Sequence, residues 1–255
     1  MASTPRSLSS TRCSTRPISR PETIRSTGWK NGWPSSSAEP AVTGASRLLG
    51  PQEMLAGYAQ GIFPMAEARG SEVLHWVDPR FRGIMPLDKF HISRSLARRI
   101  RRENYEIRTN SAFLDVVDLC AARPETWINA ALRDLYGRLH AMGFAHSLEV
   151  VQEGALTGGV FGIALGGAFF GESMFSTRTD ASKIALAYLV ERLARGGFRL
   201  FDVQFMTDHL ASLGAVEIPR ARYRALLAEA LALDADFDPG PADAYSVLQR
   251  STQTS

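Results

Sequence analysis

Two periods of hydrophobic spacing divide the chain. From Ala145 onward, AHSLEVVQ (145–152), ALTGGVFGIAL (155–165) and AFFGESMFS (168–176) are apolar or aromatic runs separated by Glu153-Gly154 and Gly166-Gly167. Turn signals between such runs predict a meander of three antiparallel strands. Asp180 stands where it can cap a helix carrying Ile184, Tyr188, Leu189 and Leu193, closed by Gly196-Gly197. FRLFDVQF (198–205) reads as a strand, HLASLG (209–214) as a short helix, and Arg220 to Leu233 as a last helix. Upstream, Met54, Leu55 and Tyr58 mark a short helix stopped at Gly61. Two short strands flank Asp78-Pro79, and Tyr105 to Thr109 suggests another. Asp88 is placed to cap a helix with Ile92, Leu96 and Ile100 in one stripe, and Ser111 to Ala122 and Ala130 to Met142 read as helices.

Runs of strands followed by a helix, a strand and a helix describe an α+β fold. The order resembles the core of GCN5-type N-acyltransferases, which implies a catalytic domain over residues 79–233 behind a small N-terminal domain over 47–78. Residues 1–46 are rich in Ser, Thr, Arg and Pro and lack aliphatic periodicity, so a disordered or non-native extension is expected there. Residues 234–255 are expected to form a flexible tail.

Charge sharpens this division. The chain carries +3, but residues 1–46 hold six Lys/Arg against two Asp/Glu, leaving 23 against 24 for the rest. An anionic partner must therefore meet a local patch. Arg94, Arg98, Arg99, Arg101 and Arg102 form such a patch on the predicted helix, suited to RNA phosphates as well as to simple solvation. Cys13 and Cys120 form no motif, which agrees with a reducing cytoplasm. The run from Ala155 to Gly171 is broken by six glycines and is too short to span a bilayer.

Two strands carry polar groups where apolar ones belong. Regular alternation would put Phe170, Glu172 and Met174 on one face, and a carboxylate in that company must be paired or hydrated. A structural salt bridge and a functional acid both satisfy that requirement. In FRLFDVQF, Asp202 and Gln204 share a face while Phe201, Val203 and Phe205 take the other. A carboxylate and an amide meeting Glu172 across a cleft could orient an amine and hold an oxyanion. Trp127 is either buried or a stacking platform for a base. The five histidines lack metal spacing, so no metal is expected. GESMF is not a nucleophile elbow, no P-loop or dinucleotide fingerprint is present, and no cofactor is expected. TRTDASKIAL, where a CoA pyrophosphate loop would lie, contains no glycine.

GIFPM (61–65), DPR (78–80), HISRSL (91–96), TWI (126–128), AHSLEV (145–150), GGVFG (158–162), FFGESMFS (169–176), ASK (181–183), DVQ (202–204) and HLASLGAVEIPR (209–220) together resemble the leucyl/phenylalanyl-tRNA–protein transferase family, over about Leu48 to Leu233. The resemblance implies transfer of Leu or Phe, also Met, from aminoacyl-tRNA to acceptor proteins with N-terminal Arg or Lys, creating an N-degron in the cytoplasm. It implies that Glu172, Asp202 and Gln204 lie together at the cleft, where Glu172 and Asp202 are expected to hold the acceptor's positive N-terminus while Gln204 positions the ester. It implies a side-chain pocket of Val160, Phe169, Met174, Leu186 and Phe201, adenosine support from Trp127 and Met65, and tRNA contact by the arginine helix. The chain departs from the family pattern at Met65, where many members have Trp, at Leu74-His75-Trp76, and at Val160, where Met is frequent. A related acyltransferase with another donor, or a non-catalytic RNA-binding protein, are the alternatives.

Overall fold

The computed structural model describes residues 41–46 and 49–252. Of the extension expected over residues 1–46, residues 1–40 lie outside the described residues. Its last six residues form a strand instead, β1 (Ala41–Ser46). Helix α1 (Pro51–Ala59) follows, with proline in the first turn, where its missing N–H costs no hydrogen bond. Gly61, at φ 81°, reverses the chain into β2 (Phe63–Ala66) and β3 (Leu74–Asp78). These strands form an antiparallel sheet in the order β1-β3-β2.

The larger sheet has seven strands: β4 (Phe81–Ile84), β5 (Glu106–Thr109), β6 (Ala145–Gln152), β7 (Ala155–Leu165), β8 (Ala168–Ser176), β9 (Leu200–Gln204) and β10 (Val216–Pro219). Their order is β10-β4-β9-β8-β7-β6-β5. The meander β6-β7-β8 is antiparallel as its turns predict, and β8 and β9 run parallel. Helix α5 (Ala181–Arg195) makes the crossover between them. The other helices are α2 (Arg94–Arg102), α3 (Phe113–Ala121), α4 (Ala130–Ala141), α6 (Asp208–Ser212), α7 (Arg220–Leu231) and α8 (Ala244–Thr252).

Alternation along the strands sends side chains to two apolar layers. Phe161, Ile163 and Phe170 pack with α1, α3, α4 and α7. Leu148, Val150, Val160 and Phe169 pack with α2, α5 and α8. The boundary expected near Asp78 is where the chain passes from one sheet to the other. It does not separate two cores, because Met54, Tyr58 and Phe63 share an apolar cluster with Phe161, Phe170 and Tyr223. Asp78 ties the parts further, accepting from Arg220 at 2.8 Å and Arg224 at 2.9 Å.

Three local expectations are corrected. Ser93, not Asp88, caps α2, accepting from the Leu96 N–H at 3.3 Å, because the helix starts one turn later than the apolar stripe suggests. Asp180 occupies the cap position of α5 without making the cap bond, since its carboxylate is taken by Arg99 at 2.8 Å and Lys183 at 3.1 Å. The expected tail after Leu233 is largely packed: Phe237 is buried, its ring 5.5 Å from Phe169 and 4.2 Å from His146, and Ala244 and Val247 of α8 are buried with it. Arg250 of α8 also pairs with buried Glu191. Too few apolar residues in this stretch repeat at helical spacing to reveal the docking in sequence. Replacing a buried phenylalanine by alanine costs about 3–5 kcal/mol. Phe237→Ala is therefore expected to lose about 3 kcal/mol of unfolding free energy in urea titration, and an unchanged midpoint would restore the flexible tail.

Candidate active site

The parallel pairing of β8 and β9 joins Ala168 to Leu200, Phe169 to Phe201 and Phe170 to Asp202, and ends there. Glu172 and Gln204 each lie two residues beyond the last paired position. Where two parallel strands part, a crevice opens at their C-terminal ends. Two irregularities shape it. The register of β8 against β7 shifts between Phe161–Ser173 and Gly162–Gly171, so Glu172 is an extra residue in its strand. Gln204 has φ 61°, a left-handed conformation unusual for a residue with a side chain, and it centres a tight turn closed by the Phe205 N–H on the Val203 carbonyl at 2.8 Å.

The bulge overturns the predicted alternation. Phe170 and Phe175 belong to one apolar layer, while Phe169 and Met174 pack into the other. Glu172 and Met174 thus do not share a face. The extra residue turns Met174 toward the slot beside Val160, its partner across the strands.

Glu172 is 7% exposed and, among the described residues, has no cation in contact. Tyr58 Oη donates to its Oε1 at 2.7 Å and Tyr136 Oη to its Oε2 at 2.5 Å. Gln204 Nε2 donates to Oε1 at 3.0 Å. Burial pushes its pKa up to about 7, with the Asp202 charge adding to the rise and the two phenols and the amide working against it. Among the described residues, the structural salt bridge that the sequence allowed for Glu172 is absent. Burial, together with the neighbouring Glu172, also raises the pKa values of Tyr58 and Tyr136 well above the ordinary range, so both remain donors at neutral pH.

Asp202, on the next strand, is held in the opposite way. It is fully buried, and Arg82 grips it with Nε at 2.9 Å and Nη2 at 2.7 Å. Tyr223 Oη donates to it at 2.7 Å, and the Gln204 N–H at 2.8 Å. Arg82 is itself enclosed between the rings of Phe63 and Tyr223, 4.4 and 4.6 Å from its guanidinium carbon. Burial opposes the Arg82 charge, but the Asp202 field outweighs it and its pKa moves up. The expected grip of Asp202 on an incoming amine is thereby corrected: its acceptor sites are occupied inside the fold and it does not line the crevice.

The crevice opens into a cavity of about 1100 Å³. Glu172 and Gln204 lie in its wall, together with Val160, Met174, Leu186 and Phe201 on the apolar side. Met65 of β2 and Trp127, on the connection between α3 and α4, also line it, and Arg69, after β2, donates to the Ala121 and Arg123 carbonyls at 2.6 and 2.8 Å. Phe169 does not reach the cavity; it stands behind Phe201, ring centroids 5.6 Å apart. Leu210, Val203 and Thr207 line the cavity instead, without any sequence signal beyond helix and strand periodicity. The five arginines of α2 are exposed, and Arg99 is partly engaged by Asp180.

Tyr58, Tyr136 and Arg82 were not singled out by sequence. The two tyrosines occupy apolar stripes at helical spacing, after Met54 and Leu132, where a phenol needs a partner once buried. That need was the available signal. Among the described residues, no group of three or more His, Cys, Asp or Glu is arranged to hold a metal ion, and no helix is long and apolar enough to cross a membrane.

Known proteins match this chain closely. Residues 84–228 match the family model described as leucyl/phenylalanyl-tRNA protein transferase, and residues 48–80 match the N-terminal domain model of the same family. A leucyl/phenylalanyl-tRNA–protein transferase of Cereibacter sphaeroides (strain ATCC 17025) is 61% identical over 209 residues, covering 81% of this chain and 98% of that protein. One from Ruegeria sp. (strain TM1040) is 60% identical over 203 residues, covering 79% and 97%. A solved structure of FemX aligns over 55% of this chain and 60% of its own with a TM-score of 0.44 and 12% identity, too distant to inform the chemistry. With both family models matched in order across the sheet, the crevice and its wall, the chain belongs to the leucyl/phenylalanyl-tRNA–protein transferase family.

Proposed function

We propose that the protein transfers Leu, Phe or Met from aminoacyl-tRNA to the N-terminal Arg or Lys of acceptor proteins in the cytoplasm, forming a peptide bond and an N-degron. The observation that carries this reading is the meeting of Glu172 and Gln204 in the wall of one cavity, beside an apolar slot and Trp127. The parting of β8 from β9 supports a GCN5-type N-acyltransferase plan, with the acyl donor entering at the splay.

In this reading the donor's side chain fills the slot of Val160, Met174, Leu186 and Phe201. Its terminal adenine stacks on Trp127 against Met65, and exposed arginines of α2 meet phosphates of the acceptor stem. Ionised Glu172 attracts the acceptor's α-ammonium and takes one proton, freeing the amine lone pair. That lone pair attacks the ester carbonyl carbon; the C–N bond forms and the bond to the ribose oxygen breaks. One remaining amine proton stays on the amide nitrogen and the other leaves with the ribose hydroxyl. Gln204 orients the ester through its side-chain amide. Asp202 acts one step back, as the acceptor that holds the Gln204 N–H and with it the left-handed turn. An ester gives an amide downhill, so ATP is not required.

Incubation with labelled Phe-tRNA and an Arg-starting peptide is expected to yield labelled peptide. Binding of the tRNA without product would leave an RNA-binding protein. Gln204→Ala is expected to lower kcat by about 10²–10³, and full activity would remove it from the mechanism. At saturating Phe-tRNA, kcat/KM for the peptide is expected to fall below a pH of about 7, where Glu172 takes up its proton and can no longer accept one. Glu172→Gln is expected to abolish that acid limb along with most activity. Val160→Met narrows the slot, so the preference for Phe over Leu should drop about tenfold in kcat/KM; an unchanged ratio would place the side chain elsewhere.

A further inference from the structure

Glu172 could have been stabilised by a cation, as Asp202 is by Arg82 two residues along the neighbouring strand. It is held by neutral donors instead. A lysine or arginine in contact would satisfy the carboxylate and cancel its charge, leaving nothing to attract an ammonium group. Phenols satisfy the oxygens and leave the charge in place. Tyr58 comes from α1 and Tyr136 from α4, on two separate elements converging on one carboxylate, one phenol on each oxygen. Both tyrosines are fully buried and their rings are held by packing: Tyr58 lies 4.8 Å from Phe170, and Tyr136 lies 5.1 Å from Phe161 and 6.5 Å from Trp127. Neither tyrosine lines the cavity.

We propose that Tyr58 and Tyr136 are positioning residues that keep Glu172 ionised and aimed at the acceptor amine, and so set the lower pH limit of transfer. The proposal rests on the function proposed above. The groups facing Glu172 are the two phenols from α1 and α4, Gln204 and Asp202 from β9, with Arg82 of β4 and Tyr223 of α7 standing behind Asp202. Asp202 opposes ionisation of Glu172, and Arg82 sits beyond it, bound to Asp202. The phenols are therefore, with Gln204, the groups in contact that favour the charged form. Their placement also couples the site to the small N-terminal unit: α1 lies between β1 and β2 of the smaller sheet and still delivers a donor to the crevice of the larger one.

The test is the pH dependence of kcat/KM for an Arg-starting peptide at saturating Phe-tRNA, for the wild type, Tyr58→Phe, Tyr136→Phe and the double variant, with thermal melts in parallel. Loss of a donor to a carboxylate disfavours the ionised form, so the acid limb should move upward. A hydrogen bond to a charged group corresponds to a shift of about one pH unit, and the double variant should shift further. A limb that stays at the wild-type pH while activity falls equally at every pH assigns the phenols to structure alone and overturns the proposal. Tyr58→Phe keeps the ring contact with Phe170 and carries the test if Tyr136→Phe does not fold; loss of the folding transition in both variants also overturns it. A wild-type protein that makes no product removes the proposed function and this proposal together, whereas an active wild type with an unmoved limb in folded variants removes only this one.

Discussion

Two carboxylates, buried side by side without being paired in the same way, govern this structure. Burying a charge is costly unless it is paired or hydrogen-bonded. Asp202 is compensated by a guanidinium fork and becomes part of the scaffold. Glu172 is held by two phenols and an amide and faces the cavity. The difference in partner chemistry separates an acid locked inside the fold from one that faces the cavity, although both acids sit on adjacent strands. Polar atoms in the interior are matched throughout: among the described residues, no buried side-chain nitrogen or oxygen lacks a partner.

Backbone geometry makes this separation possible. Strands β8 and β9 pair for three residues and then part, and the residues just beyond the parting are Glu172 and Gln204. The bulge in β8 redirects Met174 to the slot side while leaving Glu172 on the side of α1 and α4. The left-handed turn at Gln204 bends β9 away and brings its amide to Glu172. A non-glycine residue in that conformation costs of order 1–3 kcal/mol, and the Asp202 carboxylate offsets part of that by accepting its N–H. Arg82, enclosed by Phe63 and Tyr223, fixes Asp202 in turn. The crevice is thus braced by contacts from β2, β4 and α7 as well as by its own strands.

Much of this was legible in the chain. The meander, the α5 crossover and β9 follow from strand and helix periods and from the glycine turns, because local spacing dictates them. Glu172, Asp202 and Gln204 stood out as polar groups in apolar strands. The short edge strand β10 and strand β2 were not foreseen. The docking of Phe237 and α8 was missed because its determinants are partners far away in sequence, Phe169, His146 and Glu191.

The sequence by itself determined which residues are apolar, which strands and helices they build, and which side chains could not lie in an apolar strand without a purpose. The tertiary structure alone decided which partners those side chains meet. Whether a buried acid meets a guanidinium or a phenol depends on elements brought together over 36, 114 and 120 positions of chain. Alternation also fails at a bulge, and nothing in a single strand's residues announces one, because a bulge arises from register against the neighbouring strand.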